Sequence, residues 1–417
     1  MKRSIRTIRD VVDWRLCAGC GACYAACDKG AITLEDMESL GIRPGCDETL
    51  CADCAECLAV CPGYEVNAEG AMNEQQRPLE TDHEFGHVLE LWEGYAADPV
   101  IRRQASSGGI LSALALHCLE RERMGFVLHA GMDPGKPWLN RTFQSRSRRE
   151  ILARGGSRYS PASPCDGLRA VEESDSPCVF IGKPCDTAGA TMLRRRRPEL
   201  DRKLGLVLAF FCAGTPSTRG TLDLLESLEV TCDRVDALRY RGEGWPGDFK
   251  VLLENRTQER SLAYMKSWGR LTRYVAFRCR LCPDGLGRLS DITCGDAWES
   301  FRNDGDAGRS IVLVRTPRGR EILRRAIDAG YLNLQPIEAQ AVFSAQPDLL
   351  DARRQLFGRL LALRLFQVPI PRFRGFSLFY SWRRLPFTIQ IRSILGTMRR
   401  IVQRRLRRRQ GNVLSAG

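Results

Sequence analysis

The chain has 417 residues, of which 43% are hydrophobic and 27% charged, a globular composition with room for two or three domains. The net charge of +13 is uneven, because sixteen arginines and no acidic residue follow Asp351, and the first 351 residues carry a net charge of −3. No apolar run reaches the roughly 18 residues of a membrane span, and the N-terminus lacks the apolar run of a signal peptide. These features exclude a membrane-spanning protein and predict a cytoplasmic one with reduced thiols.

Nine of the eighteen cysteines fall between positions 17 and 61. They form two C-x2-C-x2-C-x3-C runs, the spacing with which a chain wraps [4Fe–4S] clusters, and in two-cluster ferredoxins the fourth cysteine of a run ligates the other cluster. Zinc ribbons use pairs of cysteines, and disulfides belong to oxidising compartments. The predicted ligands are Cys17, Cys20, Cys23 and Cys61 in a first site, and Cys27, Cys51, Cys54 and Cys57 in a second site.

This segment resembles the bacterial two-cluster ferredoxin module, with two departures. Asp28 stands where the first run usually carries proline, and we expect its charge to make reduction of the nearby cluster harder. Cys46 is a ninth thiol outside the ligand scheme, and we interpret it as a small buried apolar side chain rather than a ligand.

Further along the chain, glycine-rich loops punctuate apolar segments. Ser106 to Gly109 precede an apolar helix-forming run, where free backbone N–H groups suit a phosphate, although a plain helix cap is an alternative. A second glycine–serine loop, 155–159, adds an arginine. Strands predicted at 125–130, 177–182 and 204–211 end in similar loops. This repetition indicates an α/β sheet with ligands at its strand ends.

Seven motifs in this part carry a family resemblance. They are Ser106–Gly109, Gly156–Tyr159, Gly182–Cys185, Phe211–Ser217, Arg241–Gly247, Cys279–Cys282 and Asp291–Trp298. With the cysteine runs, they resemble the beta subunits of coenzyme F420 hydrogenase and dehydrogenase and their bacterial and plant relatives, over roughly residues 15–340. The family usually has threonine at the position of Lys183 and glutamine at that of Asp186.

The resemblance implies an FAD-binding oxidoreductase domain whose flavin exchanges electrons with the clusters. The predicted fold is an α+β ferredoxin-like two-cluster module (1–66), a connector (67–87), an α/β flavin-binding domain (88–345) and a basic helical C-terminal tail (346–417). Candidates for the pyrophosphate cradle are Ser107, Gly108, Gly109, Gly156 and Ser157. Arg158 or Lys183 is expected to hold negative charge on the reduced flavin, with a structural salt bridge as the alternative for each. Lys183 and Cys185 are the weakly supported catalytic candidates.

A third [4Fe–4S] cluster is a further hypothesis. Cys279 and Cys282 supply half a metal site, and Cys294, with Cys185 or Cys212 from elsewhere in the fold, is a candidate for the rest. The alternatives are unrelated thiols and a supporting role near the flavin. Trp245 and Trp298 are interpreted as core residues, with stacking on an aromatic ring as the alternative.

The tail predicts a basic amphipathic helix between Ile391 and Arg409. Its aromatic and arginine pattern favours an anionic membrane surface, which would place the protein at the inner face of the membrane. Docking to an acidic protein, or to the chain's own ferredoxin module, is the main alternative, and nucleic acid is the least favoured partner.

The sequence therefore predicts an iron–sulfur flavoprotein oxidoreductase. Two [4Fe–4S] clusters and FAD would carry electrons between a ferredoxin-like redox partner and an unknown organic substrate. The alternatives are a non-catalytic electron-transfer subunit of a larger complex, coenzyme F420-dependent hydride transfer, and a relative in which the flavin site serves only structure.

Overall fold

The computed structural model describes residues 4–69, 82–300 and 307–410. Most of the predicted connector therefore lies outside the described residues. The strands are β1 (Ile32–Met37), β2 (Gly41–Cys46), β3 (Glu65–Asn67), β4 (Glu90–Ala96), β5 (Val127–Met132), β6 (Asn140–Ser145), β7 (Cys178–Gly182), β8 (Leu204–Phe210), β9 (Val235–Arg239), β10 (Asp248–Leu253), β11 (Gln258–Ala263), β12 (Ile292–Asp296), β13 (Ser310–Val314), β14 (Leu332–Pro336) and β15 (Arg372–Arg374).

Most of the helices are short connections between these strands. They are α1 (Ile8–Asp13), α2 (Ala22–Ala26), α3 (Glu56–Ala59), α4 (Asp82–Phe85), α5 (Pro99–Gln104), α6 (Ile110–Glu120), α7 (Arg148–Ala153), α8 (Leu168–Glu172), α9 (Pro184–Arg194), α10 (Pro198–Lys203), α11 (Thr218–Glu226), α12 (Tyr264–Leu271), α13 (Pro317–Asp328), α14 (Ala339–Ala345), α15 (Pro347–Arg354), α16 (Leu356–Leu365), α17 (Leu378–Arg383) and α18 (Phe387–Gln403).

An eight-stranded mixed sheet forms the centre of the larger part, in the order β14-β4-β13-β12-β8-β7-β5-β6. Its middle strands β12, β8, β7 and β5 run parallel, and the outer pairs are antiparallel. Because the carboxyl ends of parallel strands meet at one edge, the residues that follow β7, β8 and β12 are brought together there. The predicted strands and their loops are confirmed in this sheet.

The sheet buries its strands on both faces, which explains their continuous apolar runs. One face packs with α6 and α13 around Leu114, Leu208, Val312 and Leu323, all fully buried. The other face packs with α9 around Phe180 and Val207. A smaller antiparallel sheet, β11-β10-β9, has its own core with α11 and α12.

The N-terminal module contains the β1–β2 hairpin and the two cysteine runs. Its strand β3 pairs in parallel with β15, which comes from the predicted tail, so that Val66 faces Phe373 in register. The chain is thus a mixed α/β protein with an N-terminal ferredoxin-like module, and the module's second small sheet is completed by residues about 300 positions later.

The predicted tail is packed against the module rather than extended from it. Ile401 and Leu406 are buried in the same core as the first cysteines. Arg409 pairs with Asp10 at 2.7 Å, and the amide of Gln410 donates to the carbonyl of Asp13 at 3.0 Å. Docking to the chain's own ferredoxin module, one of the alternatives for the tail, is therefore observed. Among the described residues no helix is long and apolar enough to span a membrane.

Candidate electron-transfer site

The first cysteine site lies in a tight loop that only glycine can form. Gly19 and Gly21 adopt φ angles of +69° and +86°, and a Cβ on Gly21 would lie 2.9 Å from both the Ser163 carbonyl and the Asp166 amide. The four thiols are neighbours inside the module, since burial and then Cys20, Cys61 and Cys17 raise the pKa of Cys23 well above its usual value. A cluster that binds these sulfurs as thiolates removes this mutual cost. As they are placed among the described residues, no three or more Cys, His, Asp or Glu side chains are arranged to hold a metal ion.

The second cysteine site reaches the surface. Burial, followed by Cys51, Cys54 and Cys27, raises the pKa of the Cys57 thiol to about 11, so these four thiols are also neighbours. Cys51 and Cys54 are exposed. The two sites adjoin, because Cys57 also contributes to the raised pKa of Cys23.

Cys46 lies beside the second site and is half-buried against the apolar core of the module. Burial and the neighbouring thiol of Cys51 raise its pKa to about 11, with smaller effects of Cys57 and Cys27. The interpretation of Cys46 as a merely apolar side chain is therefore incomplete, because its sulfur faces the predicted ligands.

The carboxylate of Asp28 is paired with arginines in the folded protein. It pairs with Arg197, and Arg169 lies 3.6 Å away. The same two guanidinium groups donate to backbone carbonyls of residues 25–27. The charge of Asp28 therefore acts on the second site only in the presence of two cations, and the expectation of harder reduction was incomplete because these cations come from distant parts of the sequence.

A third group of thiols lies at the carboxyl edge of the main sheet. Cys185 follows β7 and Cys212 follows β8, while Cys279 and Cys282 lie in a 3-10 turn and the residue after it. Burial, then Cys279 and Cys282, raises the pKa of Cys212 to about 12, and Cys212 contributes to the raised pKa of Cys185. We call Cys185, Cys212, Cys279 and Cys282 the third thiol group.

Cys294 does not belong to this group. Its side chain is buried in the core between the sheet and α6, and burial is the cause of its raised pKa. The predicted set of Cys279, Cys282 and Cys294 is thus corrected: Cys294 lies within β12, whereas the strand-end residues Cys185 and Cys212 join the pair. Closeness in sequence was a misleading guide, and the shared sheet edge was the available signal.

Two connections join the first cysteine site to the third thiol group. The Cys165 thiol contacts Cys20, whose pKa it lowers, and donates to the Asp186 carbonyl at 3.2 Å. Arg278 donates to the Pro62 carbonyl at 2.8 Å and to the Leu281 carbonyl at 3.1 Å. The residues following Cys61 and the loop that carries Cys279 and Cys282 are therefore held together by one buried guanidinium.

Lys183 and Asp186 form a buried ion pair between these groups. The Lys183 ammonium donates to the Asp186 carboxylate at 2.8 Å and to the Ala162 carbonyl at 3.0 Å. The same carboxylate accepts from the Lys183 amide and so caps α9. Burial is the largest influence on the pKa of Lys183 and lowers it, but Asp186 together with the neighbouring thiols Cys185 and Cys212 raises it by more, so the pKa lies above its ordinary value. The salt-bridge alternative for Lys183 is therefore observed.

The two glycine–serine loops meet at the N-terminus of α6. The Ser157 amide donates to Ser106 Oγ at 2.7 Å, and the Gly108 amide donates to Ser310 Oγ at 2.9 Å. Gly109 is the N-cap of α6, with φ of +79° and no side-chain capping bond. A Cβ on Gly156 would make only ordinary contacts, the nearest with Ser106 Oγ at 3.7 Å. Free backbone N–H groups at a helix N-terminus suit an anion, and the role of these loops toward a pyrophosphate stays a prediction.

Ser107 and Arg158 have structural partners. Ser107 Oγ donates to the Arg309 carbonyl at 3.0 Å and lies 2.8 Å from Ser310 Oγ. Arg158 donates to Asn140 Oδ1 at 2.7 Å and to the carbonyls of Pro137, Leu139 and Leu238. Arg158 therefore ties the β5–β6 loop to β9 through neutral oxygen acceptors. This is a structural role but not the salt bridge that was the alternative for this residue, and its role toward a flavin stays a prediction.

Aromatic side chains surround a buried Arg241 beside these loops. Arg241 makes a bidentate pair with Asp296 at 2.8 and 2.9 Å, and Trp245 Nε1 donates to the same carboxylate at 2.8 Å. The Arg241 guanidinium lies 4.7 Å from the Tyr264 ring centroid. Trp298 packs on Tyr264 at 5.8 Å between centroids. The pairing of Arg241 with Asp296 was not predicted from the sequence, although Asp296 ends β12 at the carboxyl edge of the sheet.

Comparison with known proteins was carried out on the whole chain. Residues 91–168 match the family model for the N-terminal part, and residues 176–340 the model for the C-terminal part, of the coenzyme F420 hydrogenase/dehydrogenase beta subunit. The chain belongs to this family. Residues 16–64 match a 4Fe-4S dicluster domain, so this member is an iron–sulfur protein.

The relatives have low sequence identity to this chain, but the matches cover most of its length. The beta subunit of coenzyme F420 hydrogenase from Methanothermobacter thermautotrophicus is 24% identical over 264 residues, which are 61% of this chain and 86% of the relative. One subunit of the F(420)H(2) dehydrogenase of Methanosarcina mazei is 20% identical over 86% of this chain and 91% of its own. A chain of the F420-reducing [NiFe] hydrogenase complex from Methanosarcina barkeri shares the fold, with a TM-score of 0.53 and 20% identity over 67% of this chain and 94% of that chain.

Proposed function

We propose that this protein is an iron–sulfur flavoprotein oxidoreductase that passes electrons between a ferredoxin-like partner and an organic substrate. Two [4Fe–4S] clusters would be held by the first and second cysteine sites, and a third by the third thiol group. The observation that carries the proposal is the continuous series of thiol groups from the exposed Cys51 and Cys54 to the sheet edge where the glycine loops meet. Its family membership supports redox function in general.

Electrons would enter or leave at the second cysteine site. Cys51 and Cys54 are exposed there, together with Asp47, Glu48 and Asp53. An acidic surface around an exposed cluster favours a partner with a basic docking face, because complementary charges raise the rate of encounter. The first site, buried against the larger part of the chain, would then relay the electrons inward.

Between the first site and the third thiol group, the chain supplies fixed hydrogen bonds. The Cys165 thiol lies against Cys20, and Arg278 holds the two loops together. Hydrogen bonds and cations near cluster sulfurs tune reduction potentials. We therefore assign Cys165 and Arg278 as positioning residues that set the relative potentials of these two sites.

FAD fits the loops at the N-terminus of α6. Gly109 and Gly156 would hold its pyrophosphate with backbone N–H groups. Ser107 and Gly108 would shape the loop through their bonds to Arg309 and Ser310, and Ser157 would do so through the bond of its amide to Ser106 Oγ. Lys183, whose charge is paired with Asp186, would lie on the other side of the edge. When bound, a flavin exchanges two electrons with an organic molecule and single electrons with clusters. The aromatic group around Arg241 and Trp298 would cover the substrate side and exclude water.

The test is the iron and flavin content of protein purified without oxygen. The wild type is expected to hold about twelve irons, four for each of three clusters, and one FAD. The double variant Cys212→Ser/Cys279→Ser is expected to retain about eight irons, whereas Cys232→Ser, a thiol outside all three groups, retains the full content. Eight irons in the wild type would refute the third cluster, and absence of flavin would refute the flavoenzyme.

A non-catalytic electron-transfer subunit is the second candidate, because a curated relative is named as a subunit of a hydrogenase and the matched solved chain belongs to a hydrogenase complex. Oxidation of the reduced, isolated protein by an organic substrate separates the two proposals. Coenzyme F420-dependent hydride transfer is the remaining alternative. It requires a site that tolerates Lys183 and Asp186 in place of the family's usual threonine and glutamine. Association with an anionic membrane is a separate proposal.

A further inference from the structure

Helix α18 leaves one apolar face uncovered. Phe387, Ile391, Leu395 and Val402 are 73%, 39%, 57% and 67% exposed. With 3.6 residues per turn, these four side chains fall within an arc of roughly 80°. We call them the α18 stripe. The helix itself is firmly placed, because Ser393, Thr397 and Ile401, on its other side, are buried where α18 packs against α16.

The surroundings of the stripe are cationic. Arg392 and Arg399 are exposed and lie roughly 40–60° beyond Leu395 around the helix. Since no acidic residue follows Asp351 in the sequence, α18 and its flanking segments contribute only positive charge. An apolar stripe with arginines at its margin is the pattern of a helix that lies in a lipid headgroup layer.

A second cluster of arginines nearby also lacks anionic partners. Arg359 donates to the Arg280 carbonyl at 3.1 Å, and Arg400 donates to Thr397 Oγ1 at 3.0 Å. Burial, then Arg400 and Arg280, lowers the pKa of Arg359 to about 10. Among the described residues, no carboxylate contributes to the pKa shift of Arg359 or Arg400. An external anion such as a phosphodiester would offset the mutual repulsion of these cations.

We propose that α18 lies flat on an anionic lipid surface, with its stripe at the boundary of headgroups and acyl chains and its arginines against phosphates. A second copy of the chain is a poorer occupant, because two such cationic faces repel each other. Nucleic acid would use the arginines but not the four exposed apolar side chains. The helix binds while docked on the module, so membrane contact requires no release of the tail and does not depend on the proposed redox function.

The experiment is flotation of the anaerobically purified holoprotein with phosphatidylcholine vesicles that contain or lack phosphatidylglycerol. Wild type is expected to float only with the anionic vesicles. Ile391→Glu/Leu395→Glu should abolish flotation, whereas Met265→Glu, at a 70% exposed methionine on α12, should not. Arg392→Gln/Arg399→Gln should weaken binding about fivefold per arginine, equivalent to about 1 kcal/mol each, and Arg149→Gln/Arg273→Gln should leave it unchanged.

Several outcomes would overturn the proposal. They are flotation of the Glu variant at the wild-type level, equal binding of wild type to both kinds of vesicle, and a stripe variant that converts a wild-type dimer into a monomer. Binding to double-stranded DNA that displaces the vesicles and is unaffected by the stripe variant would assign the arginines to nucleic acid instead. Iron content and circular dichroism monitor folding. If Ile391→Glu/Leu395→Glu lowers the iron content or the circular dichroism signal, Phe387→Ser/Val402→Ser replaces it as the stripe variant in the flotation experiment.

Discussion

The buried Lys183–Asp186 pair predicts a large loss of stability when only one of its two charges is removed. Asp186→Asn keeps the shape of the side chain but leaves the Lys183 ammonium, 8% exposed, with the Ala162 carbonyl and a neutral amide as its partners. Removal of one partner from a buried ion pair costs about 3–5 kcal/mol. By contrast, Lys183→Thr/Asp186→Gln installs the residues usual in the family and removes both charges, so we expect a smaller loss than in the single variant, because no unpaired charge stays buried.

The assay is unfolding of anaerobic holoprotein, followed by loss of the cluster absorbance and of circular dichroism together. A loss of 3–5 kcal/mol corresponds to a fall in the apparent midpoint of roughly 6–20 °C, on the scale of a domain of 150–250 residues. Asp201→Asn is the matched control, because Asp201 pairs with Arg194 at the surface and is 56% exposed; exposed pairs contribute about 0–1 kcal/mol. Equal midpoints for Asp186→Asn and Asp201→Asn would contradict this prediction. A lower midpoint for Lys183→Thr/Asp186→Gln than for Asp186→Asn would also contradict it.

Two further predictions concern folding. Gly21→Ala should prevent assembly of the first cluster, seen as loss of about four irons, because its Cβ would lie 2.9 Å from two backbone atoms. The control Gly30→Ala, with φ of +66° and no atom within 4 Å of its Cβ, should lose only about 1 kcal/mol of stability and no iron. Equal iron content in the two variants would contradict this prediction. Burial lowers the pKa of His129 to about 4. Between pH 6.5 and 4 the unfolded chain therefore binds a proton that the folded chain does not. The free energy of unfolding is unaffected by this group above about pH 6.5, and it falls by about 1.4 kcal/mol per pH unit between about pH 6.5 and 4. His129→Gln should flatten this slope in urea unfolding between pH 7 and 5.5, and an unchanged slope would exclude His129 as its source.

Local patterns in the sequence predicted much of the site. The spacing of the two cysteine runs predicted thiol groups that the fold brings together, and glycine loops after apolar strands predicted the ligand edge of the sheet. The convergence of Cys185 and Cys212 with Cys279 and Cys282 was only partly predictable. It depends on β7 and β8 being neighbours, which is a property of sheet order, whereas Cys294 was chosen for its closeness in sequence.

Long-range partners account for the remaining differences. The sequence shows Asp28 as an uncompensated charge, but in the fold Arg169 and Arg197 lie beside it. The sequence likewise presents Arg158 as a ligand for an anion, but in the fold four oxygen acceptors bind its guanidinium. The amphipathic period predicted α18, but nothing in the local pattern indicated that β15 would pair with β3. Contacts between residues tens to hundreds of positions apart are set by topology, and local periodicity does not specify them.

The pairing of β3 with β15 has a consequence for biosynthesis. The cysteines of the module leave the ribosome early, but the strand that completes its sheet is made about 300 residues later, which is roughly 15–60 s at 5–20 residues per second. During that interval the nascent module holds eight ligand thiols on an unfinished scaffold. We therefore expect cluster insertion to follow completion of the chain, because a chain that ends before Arg372 lacks the strand that pairs with β3.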